Sequence, residues 1–104
     1  MSAPADATLD EMVRRLVDAF APLRIYLFGS RARGDQRTDS DYDLLVVLDM
    51  CADRRKAAVA MRHILRDVAA GKDILVATEA DPRERPGILL EQALQEGRAI
   101  YERP

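Results

Sequence analysis

Cysteine occurs once, at Cys51, and histidine once, at His63, in these 104 residues. A single cysteine excludes an intrachain disulfide. A catalytic thiol needs a histidine partner, and His63 stands in a helical pattern with no motif around it. Cys51 therefore reads as a structural residue, and cysteine-protease, zinc and Ser-His-Asp chemistries all lack parts. No apolar run approaches the roughly 20 residues that a membrane span needs. The opening Met1-Ser2-Ala3-Pro4-Ala5-Asp6 has neither a basic start nor an apolar stretch, so no secretory signal is expected and the protein reads as cytoplasmic. The formal net charge is -2. That argues against a nucleic-acid binder held by bulk charge, because such domains carry a basic face.

Hydrophobic residues make up 48% of the chain and charged residues 33%, the balance of one globular domain spanning 1–104. Thr8-Leu9-Asp10-Glu11 has the form of a capping box. Leu9, Met12, Val13, Leu16, Val17 and Phe20 follow at helical spacing, and Pro22 stops the helix. Arg24 to Phe28 predicts a first strand, with Tyr26 and Phe28 on one face and Ile25 and Leu27 on the other. Asp43 to Leu48 is almost continuously apolar and predicts a central strand buried on both faces. Ala57, Met61, Ile64, Leu65 and Val68 predict a second amphipathic helix ended by Gly71. Lys72 to Thr78 predicts a third strand. Ile88 to Glu96 predicts a last helix with Gly97 past its end, and Ala99 to Glu102 a short strand. The order predicts an α/β (α+β) domain, a small mixed β-sheet with helices packed on it.

The chemistry is concentrated between Gly29 and Asp43. Gly29-Ser30-Arg31-Ala32-Arg33-Gly34 closes the first strand, and Ser40-Asp41-Tyr42-Asp43-Leu44 opens the central one. Side chains two apart on an extended chain point the same way, so Asp41 and Asp43 are expected to project together. Two like charges that close repel, and a bound cation relieves the repulsion. Mg²⁺ takes oxygen ligands, often one or two carboxylates with substrate phosphates and water. Asp73, second in the third strand, joins the pair if that strand lies beside the central one. Three carboxylates then line one site with no visible basic partner. Gly29 lets the backbone come close to a ligand. Ser30 to Arg33 is expected to begin a short helical turn whose free amides favour an anion. Arg31 and Arg33 add positive charge there, and Ser40 is placed to cap or orient Asp41. Neither the Walker pattern nor the dinucleotide fingerprint is present.

Taken singly, these features are bland. An Asp-x-Asp pair is usually a solvated strand end, and Gly-Ser after a strand is an ordinary turn. One of Arg31 and Arg33 is readily just solvated. Arg54, Arg55 and Lys56 read as a solvated helix start rather than an RNA patch. Tyr42 should point away from the aspartates.

Together and in this order, the residues resemble the nucleotidyltransferase superfamily that includes DNA polymerase β. That motif is Gly-Ser, a spacer, Asp-x-Asp, and a third acidic residue on a later strand. Its counterparts are Gly29-Ser30, Asp41-Tyr42-Asp43 and Asp73. The fuller string is similar to the minimal nucleotidyltransferases (MNT), small antitoxin partners of HEPN-domain toxins in toxin–antitoxin pairs. The resemblance spans about Arg24 to Thr78, with a weaker likeness in Glu96 to Glu102. It implies that Gly29 and Ser30 hold the phosphates of ATP and that Asp41 and Asp43 hold Mg²⁺. Asp73 would help to bind a second ion and draw the proton from an attacking hydroxyl. It further implies AMP transfer from ATP to a tyrosine of the HEPN toxin within a hetero-oligomer, with no membrane and no direct nucleic acid involved. Two other functions fit the same motif. One is an antitoxin that neutralises by binding alone. The other is a small-molecule transferase of the antibiotic-modifying type, for whose acceptor pocket 104 residues leave little material.

Overall fold

The computed structural model describes residues 7–29, 41–78 and 97–104. Helix α1 (Ala7–Phe20) turns Leu9, Met12 and Leu16 into the core. Its apolar positions recur every three or four residues, which lines them up on one face. Thr8 lies inside this helix rather than capping it, and Glu11 does not reach back to it. The Glu11 carboxylate instead accepts from Arg14 and Arg15, whose guanidiniums lie 2.5 and 2.7 Å away. The helix ends where Ala21 takes a left-handed φ of 46° ahead of Pro22. The turn is then pinned from two sides. Leu23 N–H donates to the Val47 carbonyl and Arg103 N–H to the Leu23 carbonyl, both at 2.8 Å. The Arg103 guanidinium also donates to the Ala21 carbonyl.

Four strands form one mixed sheet in the order β3-β2-β1-β4. They are β1 (Arg24–Phe28), β2 (Tyr42–Leu48), β3 (Lys72–Thr78) and β4 (Arg98–Glu102). β1 runs antiparallel to β2 and β4, whereas β2 and β3 are parallel. Parallel neighbours need a long crossover, supplied here by helix α2 (Arg54–Ile64). β2 starts one residue earlier than the apolar run suggested, because the Tyr42 amide already bonds the Gly71 carbonyl at 2.9 Å. β4 likewise starts at Arg98 rather than Ala99, since Arg98 pairs with Leu27.

Alternation sorts the strands into two faces. Ile25, Leu27, Tyr42, Leu44, Val46, Leu48, Ile74 and Val76 pack with α1 and with Met61 and Leu65. Tyr26, Leu45 and Val47 form a second cluster on the opposite face, with Phe28, Leu75 and Ala77 against it. β2 is thus buried on both faces, as a strand at the centre of a sheet must be.

Helix α2 begins at Asp53, whose carboxylate accepts from the Lys56 amide at 3.0 Å. It stops at Ile64, well short of Gly71. Arginines close its C-terminus: Arg15 donates to the Ile64 carbonyl at 3.1 Å and Arg66 to the His63 carbonyl at 2.8 Å. Cationic caps complement the negative end of the helix dipole. Arg15 also pairs with Asp67 at 2.5 Å, so one side chain on α1 ties down the segment after α2. The hydrogen bond from Arg14, then that from Arg15, holds the Glu11 carboxyl below its usual range. The Asp67 carboxyl is lowered by Arg15 and by its own backbone amide. Arg15 is correspondingly raised, by Asp67 first and Glu11 second.

The expected helix over 88–96 and the turn over 30–33 lie outside the described residues. Among those described, no helix is long and apolar enough to cross a membrane.

Candidate active site

The sheet order brings the end of β1 and the starts of β2 and β3 to one rim. Phe28 pairs with Asp43, and Asp43 pairs with Asp73. Residues paired across neighbouring strands share a face, and strands stand about 4.8 Å apart. Asp43 continues the row of Leu45 and Val47, and Asp73 that of Leu75 and Ala77, so both belong to the face away from the two helices. Residues distant in the chain thereby become neighbours. Tyr42 faces the other way and is only 5% exposed among the core residues.

Two glycines clear the space that the first two carboxylates occupy. Gly29 has a φ of 76°, and a β-carbon placed on it would overlap the Asp43 carboxylate, coming 3.1 Å from its Cγ. A β-carbon on Gly71 would likewise overlap the Asp41 carboxylate, 3.0 Å from its Cγ. Asp43 thus leans over the end of β1, and Asp41 leans over the start of β3. Asp73, at the outer edge of the sheet, meets Arg62 of α2 with Nη2 3.2 Å from Oδ1.

One sequence expectation changes here. The acidic group has a basic partner, Arg62, which reaches round the edge strand from the helix layer. Among the described residues, no three carboxylate, histidine or cysteine side chains form a ready-made metal-binding group. Like charges at one rim repel, and Arg62 offsets that repulsion at Asp73. Ser30, Arg31, Arg33 and Ser40 lie outside the described residues.

Arg62 and Gly71 had not been assigned to the site. Arg62 lies on a helix face distant from the motif in sequence, and Gly71 had been read as a helix stop. Its value lies in having no side chain beside Asp41, a pairing visible only once β2 and β3 are set side by side.

The donor set suits a hard divalent cation. Carboxylate oxygens are what Mg²⁺ prefers, and the rim position leaves coordination sites for phosphates and water.

Residues 11–104 match the family described as Polymerase beta, Nucleotidyltransferase, and the chain belongs to it. The fold recurs in solved structures. One is a toxin–antitoxin crystal structure with AMP-PNP, 23% identical over 90% of this chain and 73% of the other, with a TM-score of 0.64. Another is a tri-AMPylated Shewanella oneidensis HEPN toxin in complex with an MNT antitoxin, 21% identical over 92% and 71% of the two chains, TM-score 0.58. A third is spectinomycin adenyltransferase AAD(9) from Enterococcus faecialis, crystallised with ATP and spectinomycin. It is 16% identical over 93% of this chain but 54% of its own, TM-score 0.58. All three share the nucleotidyltransferase fold of this chain. No curated protein matches it by sequence.

Proposed function

We propose that this chain is the catalytic antitoxin of a HEPN/MNT pair, which moves AMP from ATP to a tyrosine hydroxyl of its partner toxin. The observation that carries this reading is the register of the sheet. It sets Asp43 beside Asp73 and hangs Gly29 at the end of the adjoining strand, within a chain of the nucleotidyltransferase family. The structural likeness to complexes that hold AMP-PNP and a tri-AMPylated toxin supports ATP as donor and a toxin as acceptor.

Gly29, in a left-handed turn with no side chain, lets the triphosphate approach the backbone at the end of β1. Ser30, Arg31, Arg33 and Ser40 are the further phosphate contacts that this reading assigns. Asp41, Asp43 and Asp73 would hold Mg²⁺, two ions during turnover. The metal, when bound, neutralises triphosphate charge and offsets charge on the leaving group. Asp73 takes the proton from the attacking tyrosine. The tyrosine oxygen bonds the α-phosphorus as the bond from that phosphorus to the bridging oxygen breaks, and pyrophosphate leaves with the bonding electrons. A carboxylate can accept this proton only while ionised, and a neighbouring cation favours that form.

The test is purified chain with labelled ATP, Mg²⁺ and the product of the adjacent gene. Label should pass to that product and be lost with Asp41→Asn/Asp43→Asn, while the two proteins still associate. Neutralisation that persists in this variant would make the protein a binding-only antitoxin. Label on an aminoglycoside-type small molecule instead would make it an enzyme of the antibiotic-modifying kind.

A further inference from the structure

Arg62 has no place in the motif, yet it holds one of its three carboxylates. It stands in the last turn of α2, the helix that joins β2 to β3. That helix packs on the face opposite Asp73, with Met61 and Leu65 in the core beneath it. The guanidinium reaches Asp73 because β3 is the outermost strand of the sheet on that side. The contact is a single bond at 3.2 Å, from Nη2 to Oδ1. The two side chains are 50% and 53% exposed.

We infer that Arg62 is a positioning residue that holds Asp73 in the cation-free site and competes with the divalent cation for it. This rests on the reading of Asp73 as a metal ligand. Asp43 and Asp73 are register partners on one face of neighbouring strands, so their like charges repel, and opposite charge nearby relieves that repulsion. Arg62 supplies that charge from outside the motif and draws Asp73 toward the sheet edge. An exposed, monodentate pair holds by a factor of up to about five. That is strong enough to set where Asp73 rests and weak enough for a divalent cation to displace. A bidentate, buried pair would instead lock the carboxylate away. The arginine therefore trades a small loss of cation affinity for an Asp73 kept off Asp43 until a cation gathers both.

The experiment measures Mn²⁺ binding to the full chain without nucleotide, counting free ion by EPR. Arg62→Met should bind Mn²⁺ up to about fivefold more tightly than wild type at low salt. The gain should shrink as ionic strength rises, since exposed pairs are screened. Arg62→Lys, which keeps the charge, should stay near wild type. Asp73→Asn should weaken binding, and Arg62→Met should add nothing in that background. A gain that persists with Asp73→Asn would mean long-range charge rather than competition and would overturn the inference. So would an Arg62→Met affinity equal to or weaker than wild type while Asp43→Asn still abolishes binding. If Asp43→Asn and Asp73→Asn both leave Mn²⁺ binding untouched, the reading of the site falls first, and the inference falls with it.

Discussion

Gly29→Ala should hurt twice, and the two injuries can be separated. The first is local. At a φ of 76°, a β-carbon meets the following carbonyl, a cost of about 1–2 kcal/mol. Alanine also narrows the unfolded ensemble, which returns about 0.4–1 kcal/mol. Roughly 1 kcal/mol of destabilisation therefore remains from the backbone alone. The second is steric. The new methyl overlaps the Asp43 carboxylate, which must turn away, and an off-rotamer side chain costs about 0.5–1.5 kcal/mol. The total is about 2 kcal/mol, or a drop in melting temperature of roughly 8–16 °C for a domain of this size. Urea denaturation of four proteins checks it: wild type, Gly29→Ala, Asp43→Ala and the double variant. In Asp43→Ala only a β-carbon remains, 3.4 Å from the new methyl, an ordinary contact. Gly29→Ala should then cost about 1 kcal/mol, so the cycle returns a coupling near 1 kcal/mol. Equal costs in the two backgrounds would refute the overlap, and a neutral Gly29→Ala would refute the left-handed turn as well.

Other outcomes follow from the same geometry. Gly71→Ala should cost cation affinity out of proportion to stability, because its methyl lands on the Asp41 carboxylate; Mn²⁺ binding beside a melting curve checks this. Ala21→Gly should stabilise by about 0.5–1 kcal/mol in urea, since glycine accepts a φ of 46° freely. Arg15→Met should lower the urea midpoint at pH 7. The folded pKa of Glu11 is depressed by Arg14 and then Arg15, and that of Asp67 by Arg15, so the stability that Arg15 draws from them is present above their unfolded pKa values and is lost as pH falls through the folded ones. The gap between wild type and variant should therefore close below pH 4, and a gap as wide there as at pH 7 would contradict the pairing. Leu16→Ala, at a position with 0% exposure, should cost about 2–5 kcal/mol by the same assay.

Strand positions were the most legible part of the chain. Arg24–Phe28 and Lys72–Thr78 are strands with the predicted ends, because β-branched and aromatic residues bounded by glycine leave few alternatives. The two-sided burial of β2 was equally plain in its unbroken apolar run. Helix ends were less so. The close of α2 depends on Arg15, on a different helix, donating to Ile64, and no local window contains that bond. The capping box failed for a related reason, since Glu11 found two arginines nearer than the helix start. At the site, the motif pointed to Asp41, Asp43 and Asp73, but not to the arginine beside Asp73 or the glycine that leaves room for Asp41. Gly71 and Arg62 act only through strand pairing and through the packing of α2 beside β3, neither of which is a property of neighbouring residues.

The pairing of β2 with β3 also makes the chemistry hostage to hydrophobic alternation. If β3 slipped by a single position, every side chain on it would change faces. Asp73 would turn inward among Leu44, Met61 and Leu65, while Ile74 and Val76 would lose the layer that buries them. Burying a lone carboxylate while stripping two aliphatic chains is doubly unfavourable. The oily residues of the interior thus act as an alignment gauge for the acidic rim, and mutations that blur their pattern should misplace the Asp73 carboxylate without touching it.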